Sequence, residues 1–103
     1  MDGERLVKDF LRAQNLEQLG RLDEALALYE GMVDAAFDAT GPYDRLIAIY
    51  SDRALHPDVV RVADSALTHV QTHPEKRAWY ERMKADAAKA STKVPRAVPK
   101  SFS

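Results

Sequence analysis

The chain has no cysteine, only four scattered glycines and no long apolar run. Without cysteine it cannot form disulfides, thiolate zinc sites or a thiol nucleophile. Gly3, Gly20, Gly31 and Gly41 lie too far apart to build a phosphate-binding loop. No run reaches the roughly 18 apolar residues of a membrane span, and no signal-like apolar segment follows Met1. We therefore expect a cytoplasmic protein that does not insert into membranes.

Strand signals are also missing, because no segment alternates apolar and polar residues for long and there is no Asn-Gly or Asp-Gly hairpin turn. The 103 residues are enough for one domain, and 46% hydrophobic with 30% charged residues is typical of a folded globular chain. Apolar residues recur instead at spacings of three and four. The pattern predicts an all-α domain of about five helices, whose apolar stripes are Leu6, Val7, Phe10, Leu11, Leu16 and Leu19; Leu22, Ala25, Leu26, Tyr29, Met32, Val33, Ala36 and Phe37; Tyr43, Leu46, Ile47 and Tyr50; Val59, Val62, Ala63, Ala66, Leu67 and Val70; and Trp79, Tyr80, Met83 and Ala87.

Glycine and proline mark the boundaries between these stripes. Gly20 ends the first helix, and Pro42 is expected at the first position of the third, where its missing N–H is harmless. His56 and His73 each precede a proline, which disfavours helical geometry for the residue before it. We therefore expect both histidines just outside the helices that follow.

The C-terminal residues 91–103 have two prolines, three bases and no acid. Such a segment is expected to be extended and flexible unless something binds it. We therefore divide the chain into a helical domain, residues 1–90, and a basic proline-containing tail, residues 91–103.

The segment from Leu16 to Glu30 resembles a tetratricopeptide repeat (TPR) across the turn between its two helices. It has a glycine at the turn, an Asp-Glu-Ala run and an aromatic residue, Tyr29, four residues after Ala25. The resemblance implies antiparallel helix pairs stacked as a short solenoid, with Ala25 at a close helix contact. A shift of 37 residues also aligns the second apolar stripe with the fourth, as expected of stacked repeats.

A TPR-like stack implies a non-catalytic protein–protein interaction module, or adaptor, that binds a polypeptide in a groove between helices. The resemblance places Gln14, Glu17 and Gln18 of the first helix, and Asp44 and Ser51 of the third, on the groove. Carried over in the same way, Phe10 and Ile47 would line the groove or belong to the core. Carboxylates and amides on one wall predict a basic client.

The second hypothesis is a self-associating structural subunit of a larger assembly. Residues 1–64 hold 13 acids and 7 bases, whereas residues 65–103 hold 3 acids and 8 bases. An acidic front and a basic back favour head-to-tail contacts, although solvated helix surfaces would explain the same distribution.

Catalytic and metal-binding patterns are weak. His69 and His73 stand four apart, as zinc ligands on a helix do, but no third ligand is evident. Glu30, Asp34 and Asp38 form a row that we expect on a solvated outer face. We predict no enzyme activity, cofactor or metal, and the net charge of −1 argues against nucleic-acid binding despite the bases near Trp79 and Tyr80.

Overall fold

The computed structural model describes the backbone of residues 2–97 and the side chains of residues 3–91. Within these residues the chain is entirely helical, with no strand, which confirms the all-α prediction. The element order is α1 (Asp2–Gln18), α2 (Leu22–Asp34), α3 (Thr40–Asp52), α4 (His56–His69), a 3₁₀ turn (Pro74–Lys76) and α5 (Arg77–Ala97).

Each helix packs against the next one in the chain, and α2 also contacts α4. Because the connections are only a few residues long, consecutive helices run antiparallel. The fold is 56 Å long and 18 Å thick, which is roughly two helix diameters of about 10 Å. One apolar core runs through all five helices, and its largest fully buried side chains are Tyr29, Tyr43, Tyr80, Met32, Leu46, Ile47, Val59 and Val62.

The ends of α1, α2 and α3 share one hydrogen-bond pattern. In each, the residue after the helix cap has a positive φ angle: 79° at Gly20, 56° at Ala36 and 58° at Ala54. The next backbone N–H then donates to the carbonyl five residues earlier, as Arg21 does to Leu16 at 2.9 Å. This left-handed termination satisfies the last carbonyls and turns the chain sharply.

Two helix starts differ from the sequence prediction. Pro42 is the third residue of α3, because the helix begins earlier, at Thr40. His56 is the first residue of α4, not a residue outside it. The Leu55 carbonyl accepts bonds from the N–H groups of Asp58 and Val59, at 3.1 and 3.2 Å, so His56 is included in the first turn.

The C-terminal helix is longer than the apolar pattern predicts. α5 continues through Ala97, so the backbone of residues 91–97 is helical instead of extended. The preceding alanines, among the strongest helix formers, favour this continuation. Residues 98–103, the remainder of the predicted tail, lie outside the described residues, and a domain boundary at residue 90 stays a prediction.

The packing of α2 and α5 closes two sides of the core. Ala25 is fully buried, as a small residue at a close helix contact should be. Tyr80 is buried and Trp79 and Met83 are partly buried against the core, so α5 covers the apolar face of α4.

Candidate functional site

Glu17, near the end of α1, was predicted to line the groove, but its carboxylate is bonded to other residues of the fold. Its carboxylate accepts a hydrogen bond from the Tyr29 hydroxyl of α2 and two from the Arg45 guanidinium of α3, the shorter at 2.6 Å. Hydrogen bonds from Arg45, then from Tyr29, hold the pKa of Glu17 below its usual value against the opposing effect of burial. Glu17 thus joins three helices through a charge that is balanced within the fold.

Glu30 of α2 repeats the arrangement one helix further along. It accepts hydrogen bonds from the Tyr50 hydroxyl of α3 and from Arg61 of α4, whose Nη2 lies 2.6 Å from the Glu30 carboxylate. Burial opposes ionisation of Glu30, but the hydrogen bonds from Arg61 and Tyr50 outweigh it and leave the pKa lowered. Burial of Tyr50, together with its hydrogen bond to the Glu30 carboxylate, raises the pKa of Tyr50 to about 12. The prediction that Glu30 lies on a solvated outer face was wrong, because its side chain is only 26% exposed and is bonded to residues of α3 and α4.

Asp44 of α3 forms the third cluster. It accepts hydrogen bonds from the Tyr80 hydroxyl of α5 at 2.8 Å and from the Lys76 ammonium at 3.0 Å. Lys76 also lies 4.1 Å from the centre of the Trp79 ring, a cation–π contact. We call these groups the three carboxylate clusters: Glu17 with Tyr29 and Arg45, Glu30 with Tyr50 and Arg61, and Asp44 with Lys76 and Tyr80.

The remaining acids of the predicted row have different roles. Asp38 accepts hydrogen bonds from the backbone N–H groups of Gln71 and Thr72, at 2.8 and 3.2 Å, and so joins the loop after α2 to the loop after α4. These bonds lower the pKa of Asp38. Asp34 is exposed, as predicted.

The groove residues taken from the TPR resemblance therefore fall into separate environments. Glu17 and Asp44 are paired inside the carboxylate clusters, so their charges no longer give a reason to expect a basic client. Gln14 and Gln18 are exposed on α1. Ser51 is exposed about 10 Å further along α3 than Asp44, where it lines a cavity beside α5.

The two apolar residues considered with them are both in contact with the fold. Ile47 is buried in the core. Phe10 is half-buried, with its ring centre 5.9 Å from that of Tyr29. A Cβ atom on Gly41 would lie only 2.6 Å from the Phe10 ring, so the missing side chain at Gly41 lets α1 approach the start of α3.

The outward side of α1 carries apolar residues that the sequence analysis had assigned to the core stripe. Val7 is 50% and Leu11 is 60% exposed. With Gln14 and Gln18 they follow spacings of four, three and four, which place all four on one side of the helix. We call these residues the α1 outer face. Their spacing was visible in the sequence, but which of two adjacent stripes would be buried was not.

The two histidines with zinc-like spacing do not act together. The Nδ1 of His69 lies 3.1 Å from the carbonyl oxygen of Ser65 on its own helix, whereas His73 lies before the 3₁₀ turn and contacts Glu75. No three potential metal ligands come together among the side chains that the structure describes.

No protein-family model, curated protein or solved structure matches the chain. The helices between residues 2 and 97 include none that is both long enough and apolar enough to cross a membrane.

Proposed function

We propose that the chain is a non-catalytic interaction module, a TPR-like adaptor, that binds a polypeptide partner through the α1 outer face. The observation that supports this proposal is the exposure of Val7 and Leu11 on a helix whose opposite side is packed. Large aliphatic side chains arranged in a row on a helix are a common contact surface for partner helices.

The spacing of the α1 outer face indicates the kind of partner. Val7, Leu11, Gln14 and Gln18 repeat as the contact positions of a coiled-coil seam do. A partner helix would pack apolar residues on Val7 and Leu11 and place hydrogen-bonding side chains opposite the two glutamines. The proposed partner is therefore an amphipathic helix whose contacting stripe is apolar at one end and polar at the other.

The TPR-like character is part of the proposal. It is supported by Gly20 at the turn between α1 and α2 and by the burial of Ala25 and Tyr29 where these helices meet. The partner surface differs from the one that the resemblance implies, because the polar groove residues Glu17 and Asp44 are used within the fold.

The proposal also keeps the expectations of a cytoplasmic protein without catalytic activity, cofactor or nucleic-acid ligand. Two bases that could contact nucleic acid are already paired, Lys76 with Asp44 at 3.0 Å and Lys84 with Asp64 at 2.9 Å. Pairing lowers the positive charge available to phosphate groups.

A self-associating structural subunit is the second candidate, and the α1 outer face favours it too. In a symmetric dimer, two copies of α1 would pack antiparallel, with Val7 of one copy against Leu11 of the other. Light scattering distinguishes the two functions: a mass of 11.5 kDa supports binding to a different polypeptide, and twice that mass supports the subunit.

The test is site-specific photo-crosslinking with the full chain. A p-benzoylphenylalanine residue replaces Gln14 on the α1 outer face, and in a control it replaces Ala27, which is exposed on α2. We expect the probe at position 14, but not the one at position 27, to crosslink to one defined segment of a partner polypeptide. Mass spectrometry then identifies that segment. Equal crosslinking from both positions would contradict the proposal.

The mapped segment is then synthesised and titrated. Leu11→Asp should weaken its binding at least about tenfold, because an unpaired carboxylate would enter an apolar contact. The matched control, Asp34→Leu, alters an exposed residue on α2 and should leave the affinity unchanged.

A further inference from the structure

Three bases lie in a row along α1, beside the α1 outer face. Arg5, Lys8 and Arg12 follow the helical spacings of three and four, and all three are exposed. Lys8 comes directly after Val7 and Arg12 directly after Leu11, so the bases lie along one edge of the apolar pair. We call Arg5, Lys8 and Arg12 the α1 basic row. The proposed partner surface therefore has a positively charged edge.

The charges of the α1 basic row are not balanced within the described fold. None of its three side chains has a hydrogen-bond or ion-pair partner among the side chains of residues 3–91. Several bases elsewhere are paired with carboxylates at distances of 2.6–3.0 Å, namely Arg21, Arg45, Arg61, Lys76 and Lys84. The unpaired row therefore remains available to carboxylates of another molecule.

Two acids of the same helix, Glu4 and Asp9, lie within one turn of the α1 basic row. An acid and a base three residues apart on a helix can pair, as Arg21 and Glu24 do at 2.7 Å. Within the described structure, neither Glu4 nor Asp9 forms such a pair. The helix dipole also favours negative charge near the first turn of α1, which includes Arg5. An external carboxylate would be attracted by both the bases and the dipole.

The sign of this edge is opposite to the one predicted from the groove residues. The carboxylates that suggested a basic client, Glu17 and Asp44, are paired with Arg45 and Lys76 inside the fold. The α1 basic row instead lies directly beside the exposed apolar pair. Charges that flank the apolar stripe of a helix select partners of complementary charge.

A basic helix face also attracts anionic lipid surfaces, but these take up helices with a broad apolar side, commonly with Trp or Phe. The exposed large apolar residues of α1 are Val7 and Leu11, and they are followed on the same face by two glutamines. Phe10 is packed near Tyr29 instead. The small apolar area therefore fits another helix better than a lipid surface.

We infer that the partner of the α1 outer face is an acidic amphipathic helix, whose carboxylates flank its apolar stripe and contact Arg5, Lys8 and Arg12. This inference rests on the proposed function and adds the charge of the partner to it. It also opposes the antiparallel dimer, because the two-fold axis of that dimer would place the basic rows of both copies along the same edge. Like charges would repel there.

Two designed peptides test the charge of the partner with the full chain. Both form amphipathic helices with the same row of leucines, and the positions that flank this row are glutamate in one peptide and lysine in the other. In fluorescence anisotropy at low salt, the glutamate peptide should bind at least about tenfold more tightly than the lysine peptide. This preference should shrink as salt is added, because the contacts are between exposed charges.

Charge reversal in the chain provides the second readout. The triple variant Arg5→Glu, Lys8→Glu, Arg12→Glu should prefer the lysine peptide. The matched control replaces three other exposed and unpaired bases by glutamate, Arg53, Arg82 and Lys89. It makes the same change in net charge away from α1 and should keep the preference of the parent chain. Circular dichroism checks that both variants remain helical.

The outcomes separate this inference from the proposed function. Equal binding of the two peptides, lost in Leu11→Asp, would overturn the acidic partner and leave an apolar contact on the α1 outer face. Binding of neither peptide would also overturn the inference, whereas the proposed function itself fails if position 14 crosslinks no defined segment. Cosedimentation with phosphatidylserine vesicles, lost in the triple variant and seen without binding of the glutamate peptide, would assign the α1 basic row to lipid and overturn the inference.

Discussion

Both sides of α1 carry large aliphatic residues, but these residues have different environments. On the inner side, Leu6 and Leu16 are buried and Glu17 is joined to α2 and α3. On the outer side, Val7 and Leu11 are mostly exposed. α1 therefore has more apolar surface than its own fold covers. The inner side accounts for stability, and the outer side is available for a partner.

The largest expected effect comes from a substitution on the inner side of α1. Leu16→Ala should lower the free energy of unfolding by about 2–5 kcal/mol, because it removes a 6% exposed side chain and leaves a cavity. Urea denaturation followed by circular dichroism measures the effect. A loss below about 1 kcal/mol would mean that α1 is not packed on α2 as described.

Overfilling the same helix pair should have the next largest effect. Ala25→Leu adds a branched side chain at a fully buried position and should destabilise the fold by about 1–3 kcal/mol. The control Ala27→Leu places the same side chain at an exposed position of α2 and should leave the melting temperature nearly unchanged. If both variants melt together, the close contact at Ala25 is wrong.

The contact between α1 and α3 is tested with two glycines. Gly41→Ala should destabilise the fold by about 1 kcal/mol, since its Cβ would lie 2.6 Å from the Phe10 ring, and Phe10→Leu should relieve part of that loss. Gly31→Ala adds a methyl group on α2 that would meet no atom within 4 Å outside the adjoining turns of its own helix, and it should stabilise the fold by about 0.5–1 kcal/mol. If Gly41→Ala and Gly31→Ala shift the melting temperature in the same direction, the close contact between α1 and α3 is wrong.

These contacts show which parts of the fold the sequence could reveal. The helix period and the breaks at Gly20 and Pro42 are local signals, so the five helices and their order could be predicted. The left-handed Ala36 and Ala54 could not, because alanine does not favour that conformation and only the surrounding packing imposes it.

The candidate site was harder to predict for a related reason. Glu17 and Asp44 are polar residues on helix surfaces, which suggested a groove, but their partners Arg45 and Tyr80 lie 28 and 36 residues away. Spacing within one helix carries no information about such pairs. It also cannot decide between Leu6 and Val7 as the residue that faces the core, since adjacent residues begin equally regular stripes.

The pH dependence of stability tests the inner ionic contacts. The folded-state pKa of Glu17 is lowered, so its contribution is fully present above the unfolded-state pKa of about 4.3 and is lost as the pH falls through the lower folded-state value. Glu17→Gln should therefore reduce stability at pH 7, by about 1 kcal/mol since Arg45 is partly exposed, and weaken the acid-induced loss. Glu81→Gln, at an exposed residue of α5, should leave the acid limb of the stability profile unchanged. If the two variants change the acid-induced loss of stability equally, Glu17 does not contribute to stability in the way described.

The outer side should give the smallest effect. Leu11→Ala makes on the exposed side the same change as Leu16→Ala makes on the inner side, and it should alter stability by about 0.5 kcal/mol or less. The same urea denaturation measures both. A loss similar to that of Leu16→Ala would show that Leu11 is covered within the fold.

Binding by these variants is the most direct test of the central claim that the inner side of α1 holds the fold and the outer side holds the partner. Calorimetric titration with the segment crosslinked at position 14 should give near-parent affinity for Glu17→Gln, measured where that variant remains folded. Leu11→Asp should bind at least about tenfold more weakly while its α-helical content stays that of the parent. The opposite pattern, with binding lost in Glu17→Gln and kept in Leu11→Asp, would contradict the claim.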